Sequence, residues 1–281
     1  MPELPEVETV RRQLAPHVEG ARLERVEVPD PRWCEPADPG YLANAVDGRE
    51  IQALRRRGKY LIWELADEVH MVMHLRMTGN LLLVPEDEDT PDRKYVRARV
   101  VLGDGRRVLF ADPRRFGTGQ VLLGDAARDD YFAARLGVEP LGPAFTAEAM
   151  WDIARGRTAP VKAFLLNQQR IAGVGNIYAD EALFRARIHP LRPVGSLRRA
   201  QLSDLRDAVV ESLELGVDSN GATIDDFRDI DGARGSFQDR FLVHRREGDP
   251  CPRCGTTIKK MRAAGRGTYV CEKCQPKPRR R

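Results

Sequence analysis

Cys251-Pro252-Arg253-Cys254 and Cys271-Glu272-Lys273-Cys274 hold four of the chain's five cysteines, in the pattern C-x2-C-x16-C-x2-C. Thiolates spaced this way can meet tetrahedrally around zinc, each pair supplied by a tight turn, and Gly255 directly after the first pair suits that turn. Two disulfides are the competing reading, and a reducing cytoplasm disfavours them. With all four ligand positions filled by Cys251, Cys254, Cys271 and Cys274, one Zn2+ is structural, and the C-terminus reads as a zinc-ribbon β-hairpin. Cys34 stands alone and reads as a small, partly buried side chain rather than a nucleophile.

The ribbon lies in a basic quarter. From Leu242 to Arg281 there are twelve Lys/Arg against three Asp/Glu, a formal +9 that leaves −5 on the other 241 residues and gives the net +4. Such a concentration points to a polyanion, most commonly nucleic acid. The last five residues, Lys277 to Arg281, read instead as a solvated tail.

Upstream, the pattern divides the chain into further regions. Residues 2–16 read as a helix. From about Leu23 to Leu123, short apolar runs (60–65, 69–75, 96–102, 108–110) alternate with turn signals such as Gly79-Asn80 and Gly103-Asp104-Gly105, which argues an antiparallel sandwich or barrel. After Asp125 the character is helical, with helices expected over 132–136, 147–154, 161–166, 175–186 and 196–215, Ser196 serving as N-cap of the last. The fold class is α+β and multidomain: an N-terminal β-sandwich with a flanking helix (1–131), a helical domain (132–236), the four-cysteine finger (237–275) and a basic tail (276–281). A hydrophobic content of 42% with 31% charged residues fits a soluble globular chain of this length. No run approaches the ~20 apolar residues of a membrane span. The charged N-terminus lacks a secretory signal, so a cytoplasmic location without membrane association is expected, and a monomer is the default.

Four segments carry candidate chemistry. In Met1-Pro2-Glu3-Leu4-Pro5-Glu6, removal of Met1 would expose a secondary amine whose reference pKa, near ~8, leaves a useful nucleophilic fraction at neutral pH. The same residues also suit an ordinary helix entry, with Pro near N1 and acids at the positive end of the dipole. Gly173-Val174-Gly175-Asn176 before a helix suits an anion held on backbone amides or, equally, a tight helix–helix turn. Asp112-Pro113-Arg114-Arg115-Phe116-Gly117 puts two guanidiniums beside an aromatic, as a duplex-inserting wedge requires or as surface cations around a core Phe. Arg57-Gly58-Lys59-Tyr60 places a lysine at the mouth of a strand.

Together these stretches, with His74-Leu75-Arg76-Met77-Thr78-Gly79 and 239–248, resemble in order the bacterial formamidopyrimidine-DNA glycosylase family, which removes oxidised purines and nicks the abasic strand. The resemblance runs from Pro2 to Gln275. It implies a helix–two-turn–helix DNA-binding domain and a duplex DNA partner carrying oxidised purines or abasic sites. It also implies catalytic roles for Pro2 (Schiff-base nucleophile), Glu3 (proton transfer to the sugar) and Lys59. Arg266 is placed with them and, like His74 and Asn176, matches a phosphate-gripping position. Glu6 orients the site, and Lys162 resembles a lysine close to the damaged nucleotide. Met77, Arg114 and Phe116 match residues that fill the gap left by a flipped base. A loop at about 217–235 would cover that base. There the chain reads Asn220-Gly221-Ala222-Thr223 in place of a common Gly-Gly-Thr-Thr, which puts fine base preference in question. Leu4 favours the oxidised-purine branch over the endonuclease VIII branch, which usually begins Pro-Glu-Gly-Pro. An oxidised-pyrimidine glycosylase and a non-catalytic damage-binding protein are the alternatives.

Overall fold

The computed structural model describes residues 1–85, 93–224 and 226–278; residue 225 of the expected covering loop and residues 279–281 of the expected tail lie outside them. The chain forms two compact units, Met1–Ala134 with Ser219–Ser236, and Arg135–Asp218 with Phe237–Arg281.

The first unit opens with helix α1 (Leu4–Val18). Val7, Val10, Leu14 and Val18 recur at helical spacing and are all buried, so one stripe of α1 faces the core. Two antiparallel four-stranded sheets follow. One has the order β1 (Leu23–Glu27), β6 (Val96–Leu102), β7 (Arg107–Ala111), β5 (Asn80–Val84), and the other β2 (Ile51–Arg57), β3 (Tyr60–Leu65), β4 (Val69–His74), β8 (Thr118–Leu123). Both sheets, α1 and Trp33 contribute to a single apolar cluster, as sandwich packing demands. Helix α2 (Pro39–Val46), capped by Asp38, lies inside the stretch read as β-rich. Helix α3 spans Asp125–Ala133, where the sequence suggested 132–136; Gly124, at φ +88°, starts it earlier.

Residues 219–236 group with this first unit, although they follow the helical region in sequence. Phe227 and Ile230 enter its core, Leu83 N–H donates to Ile230 O at 3.1 Å, and Arg228 N–H to Asn80 Oδ1 at 2.9 Å.

The second unit contains helices α4 (Ala147–Ala154), α5 (Val161–Leu166), α6 (Asn176–Arg185) and α7 (Arg199–Asp218), then the hairpin β9 (Lys259–Ala263) and β10 (Arg266–Val270). Ser196 is not the cap of α7: its hydroxyl donates to Pro193 O at 2.7 Å within a short 3-10 turn, and the helix starts three residues later. Phe184 of α6 packs with Val243, Ile258 and two of the cysteines, giving the cysteine module a core shared with that helix. Among the described residues no helix is long and apolar enough to cross a membrane.

Candidate active site and nucleic-acid interface

In the first unit, Glu3 is the N-cap of α1, Pro5 occupies its first turn, and Glu6 stands at N3. The Glu6 carboxylate accepts Glu3 N–H at 2.7 Å on one oxygen and Ala222 N–H at 2.8 Å on the other. One buried side chain thereby fixes the backbone beside Pro2 and the backbone of the 219–236 segment. Gly221 makes this approach possible, because it has φ +77° and a Cβ there would sit 2.8 Å from Glu6 Cγ. Pro2 and Glu3 are buried, whereas Met1 is 44% exposed.

Lys59 occupies the two-residue loop between β2 and β3, where Arg57 pairs with Tyr60, and it is buried. His74 ends β4 in register with Tyr60 and meets that ring edge-on at 4.6 Å. Its Nδ1 accepts Arg76 N–H at 2.9 Å, which leaves the proton of the neutral imidazole on Nε2 as a donor. Burial, then the charges of Arg76 and Lys59, hold the His74 pKa down to about 3, so this donor is uncharged at neutral pH.

Met77 projects from the turn between β4 and β5 and is 39% exposed, and Phe116 in the loop before β8 is 49% exposed. The Arg114 guanidinium lies 4.9 Å over the Phe116 ring. Asp112, fully buried, organises this loop. Its Oδ2 accepts Phe116 N–H at 2.8 Å and Gly117 N–H at 2.7 Å, while Oδ1 accepts Arg114 N–H at 3.1 Å. Thr78 donates its hydroxyl to the same carboxylate, tying the Met77 turn to the Phe116 loop. Arg115, at φ +59°, turns the other way and makes two bonds of 2.6 and 2.7 Å to buried Asp30. Adjacent arginines in one loop thus have opposite fates, an anchor at 115 and a presented side chain at 114. Asp30, Thr78 and Asp112 were not singled out as supports from sequence; an Asp followed by Pro-Arg-Arg was the one local signal.

In the second unit, Asn176 is the first residue of α6 and donates to Gly267 O at 3.1 Å. This bond joins the helix N-terminus to β10, whose first residue, Arg266, is exposed. Ala264 and Gly265 both have positive φ (51° and 72°), the two-residue type I′ loop that suits a twisted hairpin. Lys162, set close to the damaged nucleotide by the resemblance, meets side chains of α6 and β10. It is completely buried, with Nζ donating to Asp180 Oδ1 at 2.6 Å and Thr268 Oγ1 at 2.7 Å. Asp180 Oδ2 in turn meets His244 Nδ1 at 2.9 Å. The neighbouring Glu181 accepts the backbone N–H groups of Leu242, Val243 and His244 at about 3 Å. These buried acids were also missed: Asp180, through Lys162, ties the hairpin to α6, and Glu181 ties residues 242–244 to that helix.

The four sulfurs of Cys251, Cys254, Cys271 and Cys274 all lie within 4.8 Å of one another, with Cys251–Cys274 at 3.9 Å and Cys254–Cys271 at 3.5 Å. A tetrahedron of Zn–S bonds near 2.3 Å requires sulfurs about 3.8 Å apart. The thiols are free, and the donor set fits one structural Zn2+. Cys34 is buried, its thiol on the Pro31 and Ala37 carbonyls, and burial pushes its pKa up.

Family models match three successive parts of the chain. They are the formamidopyrimidine-DNA glycosylase N-terminal domain over residues 1–119, the H2TH domain of that enzyme over 136–228, and the zinc finger found in FPG and IleRS over 248–277. A formamidopyrimidine-DNA glycosylase of Symbiobacterium thermophilum is 44% identical over 99% of this chain and 90% of its own length. The Fpg protein of Thermus thermophilus superposes with a TM-score of 0.87 at 42% identity, covering 99% of this chain and 100% of that one. Lactococcus lactis Fpg has been solved with abasic-site DNA (TM-score 0.90, 33% identity) and, as a mutant, with Fapy-dG-containing DNA (TM-score 0.91, 34% identity). Both structures cover 98% of this chain and 100% of their own. By sequence, by fold and by its four-cysteine finger, the chain belongs to the formamidopyrimidine-DNA glycosylase family of base-excision repair enzymes, DNA glycosylases with AP lyase activity.

Proposed function

We propose that the chain excises oxidised purines, 8-oxoguanine and formamidopyrimidines, from duplex DNA as a monomer, using the N-terminal amine of Pro2 after loss of Met1. The observation that carries this reading is the Glu6 clamp, which sets Pro2 and Glu3 at the N-terminus of α1 beside the backbone of Gly221-Ala222.

The Pro2 amine attacks the sugar anomeric carbon, the damaged base leaves with its bonding pair, and the amine loses its proton as the iminium forms. Glu3 supplies a proton to the opening ring oxygen. The cationic iminium then acidifies the adjacent sugar carbon. Loss of that proton expels the 3′ phosphate, and a further elimination expels the 5′ phosphate. The positive end of α1 disfavours an ammonium at Pro2, whereas Glu3 and Glu6 favour one. Lys59 acts on a phosphate or in proton transfer, and neutral His74 donates Nε2–H to a phosphate. In the second unit Asn176 and Arg266 grip the DNA backbone, while Lys162 holds the hairpin that carries Arg266. Met77, Arg114 and Phe116 fill the gap left by the flipped base, whose extrusion costs a few kcal/mol. The segment 219–236 covers the base.

The test is a strand-cleavage assay on matched duplexes containing 8-oxoguanine opposite cytosine or thymine glycol opposite adenine. Faster turnover of 8-oxoguanine, with phosphate at both ends of the gap, supports the reading. Preference for thymine glycol would assign the endonuclease VIII type of specificity, and binding without cleavage would assign a damage-binding protein.

A further inference from the structure

Glu8 lies five residues beyond Glu3 on α1, about 7.5 Å along the helix axis. It is buried and serves three arginines, Arg11 and Arg12 from its own helix and Arg56 from β2. The Arg56 contact differs in kind, because it crosses to another element and continues beyond it. Arg56 Nε donates to Glu8 Oε2 at 3.0 Å, and Arg56 Nη1 donates to the carbonyl of Gly58 at 3.0 Å. Both partners of the bridge are shielded, with side chains 9% and 10% exposed, so the pair is not a screened surface contact.

Gly58 and Lys59 are the two central residues of the β2–β3 loop. Gly58 has φ +57° and Lys59 is not among the residues with positive φ, which is the type II′ arrangement with glycine first. Rotating the Gly58–Lys59 peptide by half a turn would convert it to type I′ and push Lys59 into the left-handed region. The Arg56 guanidinium holds the one oxygen that such a rotation must move.

We propose that Glu8 and Arg56 are positioning residues for Lys59: they transmit the placement of the nucleophile-bearing helix to the peptide that aims this lysine. The inference rests on the reading of Lys59 as an active-site residue. Arginine is required for a geometric reason, since two separate nitrogens of one planar group meet the carboxylate and the carbonyl together. A lysine has a single nitrogen and can keep the charge pair while losing the second bond.

The test uses the full-length, zinc-loaded, Met1-processed protein and single-turnover cleavage of a duplex containing an abasic site. Arg56→Lys should melt close to the wild type yet cleave about tenfold more slowly, since a small misplacement of a catalytic group has effects of that order. In a Lys59→Ala background the same substitution should bring no further loss, because the residue through which it acts is gone. Glu8→Gln, which keeps the shape and loses the charge, should show the same non-additivity. A wild-type rate for Arg56→Lys, or multiplicative losses in the double variants, would overturn the positioning role while leaving Lys59 in the site. A wild-type rate for Lys59→Ala would overturn both.

Discussion

Glu6 and Ala222 are 216 residues apart in the chain and joined by a 2.8 Å hydrogen bond from the Ala222 backbone to the Glu6 carboxylate. The other oxygen of that carboxylate holds Glu3 N–H, so the proposed proton donor and the proposed base cover share one support. Gly221→Ala should break it, because the new methyl would collide with Glu6 Cγ and φ is positive there. Excision of 8-oxoguanine should fall more than cleavage of an already abasic strand, which has no base to cover. Equal losses on the two substrates would argue against a base-covering segment.

Asp112→Asn keeps the size of the buried side chain but replaces one charged acceptor oxygen with a donor facing N–H groups. The Phe116 and Gly117 amides share one carboxylate oxygen, and hydrogen bonds to a charged group contribute about 1.5–3 kcal/mol each. A loss of about 2–3 kcal/mol in urea unfolding is expected. Weaker binding to a duplex with an unpaired cytosine should accompany it, as Arg114 and Phe116 lose their fixed loop.

Arg266→Ala should lower DNA affinity for every duplex sequence and reduce the slope of log K against log salt by about one. Chelation of zinc should lower DNA affinity while the first unit keeps its fold, since the cysteine module shares its core with α6 of the second unit. Titration with a chelator, followed by circular dichroism and anisotropy on labelled duplex, checks both orders of events.

Acid should act on the first unit in two steps. The folded His74 pKa of about 3 lies below its ordinary 6.5, so below pH 6.5 the unfolded chain binds the proton first and stability falls until about pH 3. Burial alone would raise the Glu8 pKa, but the Arg11 hydrogen bond and the charges of Arg56 and Arg11 bring it to about 2. Its contribution is therefore complete above 4.5 and lost as pH falls through 2. His74→Gln should flatten the decline in denaturation midpoint between pH 6.5 and 4.5 and leave the lower step in place.

What the sequence made legible follows from range. Runs with a clean apolar pattern, such as 60–65, 96–102, 147–154 and 161–166, coincide with β3, β6, α4 and α5 because one stripe or face of each meets a core. The cysteine spacing located the zinc ligands for a similarly local reason. Less legible were residues whose role is set by distant partners. Phe227 and Ile230 sit in a loop-rich stretch, yet they bury in the N-terminal core, so the 219–236 segment groups with the first unit. Asp30 gains its meaning from distant arginines, Arg115, 85 residues later, and Arg97 at 3.7 Å. Lys162 is matched to a lysine near the damaged nucleotide by resemblance alone; its contacts with Asp180, 18 residues later, and Thr268, 106 residues later, leave no local signal.

In the proposed reaction the Pro2 amine is the nucleophile. Borohydride reduction of the Met1-processed protein with a duplex containing 8-oxoguanine opposite cytosine, followed by peptide mass mapping, tests it most directly. A covalent DNA adduct on the N-terminal peptide at Pro2 is expected, and none from protein that retains Met1. An adduct on Lys59 or another lysine, or equal trapping by the Met1-bearing chain, would contradict it.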